Sequence, residues 1–164
     1  MKTHFQNFAR YNAWANEYLY DAVQTLSVEE VNRGISGFFH SVLGTLNHIL
    51  VGDYLWMERL QGSGPKPASL DALLYENLDD LIHNRQQADQ RLITLTDALT
   101  TDELNSHMDY KTSAGVQCHD LKSDVLTHIF NHQTHHRGQC HQMLSQLGKA
   151  PPPLDMIYYI RSKN

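Results

Sequence analysis

The chain has 164 residues, 41 % of them hydrophobic before nine glycines are counted, which fits one globular domain over 1–164 and argues against disorder. Thirteen Lys and Arg against eighteen Asp and Glu leave a net charge of −5, so no positive field exists to hold a phosphate backbone and no nucleic-acid partner is expected. Val42–Trp56 carries Asn47, His48 and Asp53 and is shorter than the roughly 20 apolar residues of a spanning helix, so no membrane span is expected. The N-terminus lacks a secretion signal's apolar core, and Cys118 and Cys140 are too few for a disulfide scaffold, which places the protein in a reducing cytoplasm.

Thr3 and Gln6 form a capping-box pattern ahead of Phe5, Phe8, Asn12, Ala15, Leu19, Ala22, Val23 and Leu26, a helical series that predicts a long amphipathic first helix. Ser27 with Glu30 repeats the box, stapled by Leu26 and Val31, and starts a short turn that Gly34 and Gly37 break. Ser41–Leu60 predicts a second helix, apolar round most of its circumference and therefore buried, ending at Gly62-Ser63-Gly64-Pro65. Residues 61–70 form a crossover that need not be structured. A third helix lies within 71–99, with Leu78, Leu81, Ile82, Arg85, Leu92, Leu95 and Leu99 inward, and Thr100 with Glu103 caps a further turn. Residues 108–118 carry β-compatible residues on both sides of Ser113-Ala114-Gly115 and predict a small hairpin. A fourth helix from about Asp120 to Leu147 stops at Gly148 and the Pro151-Pro152-Pro153 run, and the apolar tail Leu154–Ile160 docks back. The expected fold is all-α: a four-helix bundle with a long crossover and a hairpin before the last long helix, an architecture that builds metal sites from facing helices.

Histidine is the unusual entry in the composition. Of eleven, six fall within His119–His141, inside an apolar periodic segment rather than at a terminus. His128, His132 and His136 follow one another at four-residue spacing and share a face, so an adjacent pair can chelate one ion, as in zinc-binding helices. The intervening Gln133-Thr134-His135 supplies no carboxylate base, so peptide hydrolysis is not indicated. Three histidines on successive turns span about 12 Å and cannot all reach one ion, so a third ligand must come from another helix. His48 is the best candidate, with Ser41, Gly44, Thr45 and Gly52 forming a strip of small residues that leaves room beside its ring. The same strip also reads as a close approach of two helices, with His48 a hydrogen-bonded core histidine. His132 and His136 likewise read either as ligands or as a solvated polar stripe, His128 as a packing or supporting residue, and Cys140 as a small buried hydrophobe. His135 lies round the helix from His136, at water or an interface.

Asn47-His48-Ile49-Leu50 followed by Asp53 and Trp56, together with the run His128-Ile129-Phe130-Asn131-His132-Gln133-Thr134-His135-His136-Arg137-Gly138-Gln139, resembles the DinB/YfiT-like family of small helical metalloproteins. The ending Gly148-Lys149-Ala150-Pro151-Pro152-Pro153-Leu154-Asp155, then Ile157 and Tyr159, is similar to that family's C-terminal segment, so the resemblance covers nearly the whole chain. It implies a four-helix bundle with a three-histidine site for a divalent metal, often nickel or zinc, with the ligands on His48, His132 and His136. It also implies a homodimer, and the family includes transferases and isomerases that use low-molecular-weight thiols.

Three neutral imidazoles leave a coordination position open, the mark of a catalytic rather than a structural site. The sequence therefore predicts a metal-dependent transferase or hydrolase acting on a small molecule, with a low-molecular-weight thiol as cosubstrate. Asn131, Gln139 and Asp53 are candidate acceptors for the ligands' second ring N–H, while Arg137 beside them cannot accept. For Asp53 a salt bridge between helices is the competing reading. Two rival functions stand beside the enzyme: a non-catalytic metal- or ligand-binding stress-response protein, and an interaction bundle whose histidines merely decorate a helix.

Overall fold

The computed structural model describes residues 1–163 and is mostly helical, with one small sheet. In chain order it comprises α1 (Lys2–Val23), α2 (Val28–Asn32), α3 (Val42–Gln61), α4 (Leu78–Ala98), α5 (Thr101–Leu104), β1 (His107–Lys111), β2 (Gln117–Leu121), α6 (Lys122–Gln146) and α7 (Met156–Arg161). The four long helices enclose the core: α1 packs on α4 and α6, and α3 packs on α6 and α4. Leu19 and Val23 of α1, Leu46, Leu50 and Met57 of α3, Leu81 and Leu92 of α4, and Leu126 and Ile129 of α6 are fully buried there. Among the described residues no helix is long and apolar enough to cross a membrane.

Capping chemistry decides where several elements begin. Ser27 and Glu30 close the predicted box on α2, as Thr100 and Glu103 do on α5. Ser41 caps α3 by accepting from Gly44 N at 3.0 Å, and α3 ends at Gly62, whose φ of 69° takes the left-handed conformation that glycine allows without strain. The Thr3 box does not form: α1 already starts at Lys2, behind Met1 with no side-chain cap. The third long helix lies within its predicted span and starts at Leu78, the first residue of its apolar series, behind the Asn77 cap. The reason lies in α3, where buried Asn47 accepts from Tyr75 N at 2.9 Å and donates to Tyr75 O at 3.0 Å, engaging the backbone that a longer helix would need.

The hairpin is wider than predicted. β1 and β2 pair antiparallel from His107 opposite Leu121 to Lys111 opposite Gln117, so Asp120 lies in a strand and α6 begins only at Lys122. The C-terminal tail docks through Tyr11, which donates to Leu154 O at 2.8 Å, and through Tyr159, which packs on the rings of Tyr11 and Trp14.

Candidate metal centre

Two faces of the core meet at the site. From α3, His48 points toward α6; from α6, His132 and His136 present successive turns to α3. One ligand atom from each ring lies within 4.8 Å of the other two, and His48 Nε2 is 3.0 Å from His132 Nε2. His128, one turn earlier, is outside the group and packs edge-on against Trp56 at 5.1 Å. His135 is exposed, and Cys140 is fully buried as a small core residue, with burial pushing its thiol up to about 12.

The small residues flanking His48 have specific tasks. A Cβ on Gly52 would stand 2.8 Å from His132 Cε1, so the bare backbone at this position is the seat of the His132 ring. Gly44 faces the carbonyl of Phe39, which a Cβ there would strike. The close approach is thus between helix and ring at Gly52 and between helix and loop at Gly44. Held in this way, Phe39 stacks on His48 with ring centres 3.8 Å apart and meets His136 edge-on at 5.5 Å, walling one side of the triad.

Hydrogen bonds on the far ring nitrogens fix the tautomers. His48 Nδ1 donates to Leu70 O at 2.8 Å, and His136 Nδ1 donates to Gln139 Oε1 at 2.8 Å, leaving both Nε2 lone pairs for the interior of the triad. Gln139 in turn donates to His135 Nε2 at 3.3 Å, which orients the amide. Burial lowers the pKa of all three rings; for His132 burial and then the neighbouring imidazoles bring it to about 3. The rings are therefore neutral at pH 7, the form in which imidazole binds a cation. Because His48 Nε2 is unprotonated, its 3.0 Å contact with His132 Nε2 is a hydrogen bond donated by His132, and three neutral imidazoles this close together could hold one divalent ion once that proton is given up.

The other predicted acceptors lie elsewhere. Asp53 forms a fully buried ion pair with Arg85 and accepts from Gln133 Nε2 at 2.7 Å, so its salt-bridge reading holds. Arg137 is buried against Asn12, Asn16 and Gln133, and Asn131 is exposed between α6 and the start of α1. Sequence reasoning missed Phe39 and the Leu70 carbonyl. Both sit in loops without periodicity, and a carbonyl acceptor carries no side-chain signature. Gly44, one helical turn before His48, is the trace of Phe39 that the sequence does hold.

The sequence profile of the DinB family matches residues 1–164. The chain belongs to the DinB family. Protein DinB of Bacillus subtilis (strain 168) is 26 % identical to this DinB-family chain over 159 residues, covering 92 % of this chain and 90 % of that protein. The crystal structure of a DinB-like protein from Bacillus cereus ATCC 10987 superposes with a TM-score of 0.64 at 20 % identity, covering 89 % of this chain and 94 % of that one, which shows a shared fold.

Proposed function

We propose that this DinB-family chain is a four-helix-bundle metalloprotein that holds one divalent ion, zinc or nickel, on His48, His132 and His136. In this reading it serves as a transferase or hydrolase for a small molecule, with a low-molecular-weight thiol as cosubstrate. The observation that carries the reading is the convergence of three neutral imidazoles from two helices, their ligand atoms all within 4.8 Å of one another. A divalent ion there supplies Lewis-acid chemistry, lowering the pKa of a coordinated water or thiol toward neutrality at its open position.

The protein's part is positional. Leu70 and Gln139 hold two rings in the tautomer that offers Nε2, Gly52 seats the third, and Phe39 screens one side from solvent. Cys140 is buried and protonated, so the reacting thiol in this scheme comes from the cosubstrate. The proposal includes a cytoplasmic homodimer with neither nucleic acid nor membrane as partner, in keeping with the net charge of −5.

His48 and His136 are each only 8 % exposed, and this favours, as a second reading, a protein that retains its ion without turnover. Elemental analysis of untagged protein tests the metal directly: one ion per chain, lost in His132→Ala, supports the proposal, and a metal-free protein with no zinc or nickel affinity ends it. Turnover of thiol-plus-electrophile mixtures or of small esters by the loaded protein, abolished in the same variant, selects the enzyme. Tight retention without turnover selects the second reading.

A further inference from the structure

Three side-chain atoms buried without a hydrogen-bond partner, Arg85 Nε, Arg85 Nη2 and Tyr20 Oη, belong to residues that line one cavity. It is a cleft of about 540 Å³ between α1 and α4, and none of the three histidines borders it. We propose that this cleft is a second binding site, for an uncharged small molecule that joins a hydrogen-bond-accepting oxygen to an apolar body.

The polar half of the ligand follows from the protons available. A guanidinium offers donors only, and burial pushes the Tyr20 phenol upward so that it keeps its proton. The acceptors nearby are already engaged. Asp89 Oδ1 takes the amides of Asn12 at 3.2 Å and Asn16 at 2.9 Å, and Asp53 takes Arg85 Nη1 and Gln133. Arg85 Nη2 lies 2.9 Å from Asp89 Oδ1 as an ion pair but out of hydrogen-bonding alignment. Arg85 Nε and Tyr20 Oη have no partner of any kind, and buried donors that stay unpaired bear their full desolvation penalty, so an acceptor oxygen arriving through the cleft has two waiting partners.

Charge and shape supply the remainder. Asp53 and Asp89 already bracket Arg85, and the cleft also carries Glu17 and Asp21, while Arg10 is held by Asp97 at 2.8 Å. An anion would meet this carboxylate excess, and a cation would find only donors at the inner end. Trp14, Ile82 and Ile93 give the walls an apolar character, and the volume falls in the range of about 300–1,000 Å³ typical of small-molecule pockets.

Trp14 makes the site observable. The chain has two tryptophans, so Trp56→Phe leaves Trp14 as the single indole reporter. Full-length protein in this background, metal-free and zinc-loaded, is titrated with benzylacetone, hydrocinnamate and phenylpropylamine, which share a ring and differ in head-group charge. The expected result is a saturable change in Trp14 emission with benzylacetone, and binding weaker by about tenfold or more for both charged probes. Filling the cleft with Ala13→Phe, or from its exposed mouth with Gln86→Phe, abolishes the response. Having two independent filling variants guards against a failure of either to fold, which its melting curve shows. The proposal is overturned by equal or tighter binding of a charged probe, or by a response that persists in a folded, cleft-filled variant. It is equally overturned if none of the three probes saturates.

Discussion

Gly52→Ala separates metal affinity from folding. The new Cβ would lie 2.8 Å from His132 Cε1 and 3.3 Å from its Nδ1, and the ring must move by about 0.6 Å or more to restore ordinary contact. Gly52 sits inside α3, where alanine gains about 1 kcal/mol over glycine in helix propensity, so the metal-free variant should stay folded and close to wild type in stability. The cost falls instead on ligand geometry, because moving the ring disturbs the Nε2 that lies 3.0 Å from His48 Nε2. Disturbing what orients a metal-bound histidine typically weakens binding about 10–100-fold, or about 1.4–2.7 kcal/mol. With free zinc at about 100 times the wild-type Kd, binding stabilises the wild type by about 2.7 kcal/mol, whereas the variant would gain only about 0.4–1.4 kcal/mol. For a chain of this size the zinc-induced rise in Tm therefore drops from about 5–11 °C to about 1–6 °C. Scanning fluorimetry with and without zinc measures the rise, and calorimetric titration measures the affinity. A variant with wild-type values in both refutes the reasoning, since His132 would then hold no ion from its seat on Gly52.

Single replacement of His48, His132 or His136 by alanine should remove the stoichiometric ion from untagged protein with far-UV circular dichroism unchanged, whereas His128→Ala, which lies outside the triad, should retain it; elemental analysis reads both. Asp53→Asn leaves Arg85 buried with one carboxylate fewer and should cost about 3–5 kcal/mol in urea unfolding, a loss under 1 kcal/mol counting against the buried pair. Acid acts on the metal-free protein through buried groups of opposed sign, the site histidines on one side and Asp53 and Asp89 on the other. His132, held at about 3 against an ordinary 6.5, contributes stability that is complete above pH 6.5 and is lost as pH falls toward 3, by up to about 1.4 kcal/mol per unit. Burial raises Asp53 to about 6, so its contribution has the opposite sign, growing as pH falls from 6 to 3.8. His132→Gln should therefore flatten the loss of stability from pH 6.5 to pH 4, and slopes equal to wild type would show that the ring is not buried neutral.

The long helices were legible because each carries a strong period and a local stop: Gly62 ends α3, and Gly148 follows α6 before the proline run. Boundaries set by distant partners were not. Asn47 engages Tyr75 across 28 positions and ties down the segment before α4, a contact with no local signal, and strand pairing carried the hairpin out to Leu121. Within the site, the three histidines were marked by residue type and spacing, because chelation by imidazole would demand both. What orients them came from loops, where the Leu70 carbonyl and the Phe39 ring act through tertiary placement alone.

The run from Asn131 to Gln139 carries two stripes, not one. His132 and His136 turn toward α3, while Gln133 and Arg137, each one residue further on and thus about 100° round the helix, turn toward α1 and the Asp53–Arg85–Asp89 cluster. Both pairs have the same four-residue spacing, so a rotation of α6 that displaced one pair would displace the other. Gln133 donates to Asp53, which adjoins Gly52, and Gly52 is the seat of His132. The buried polar cluster therefore sets the rotation of α6 against α3, and with it the distance between His48 and His132. This gives a polar core a task that apolar packing performs poorly: hydrogen bonds are directional and fix the angle of a helix about its own axis, whereas a greasy interface tolerates sliding. Replacing the cluster with apolar residues of equal volume can preserve the fold and still lose the triad, because an ion shared by both helices would require them in register to within a few tenths of an ångström and hydrophobic burial alone does not specify that.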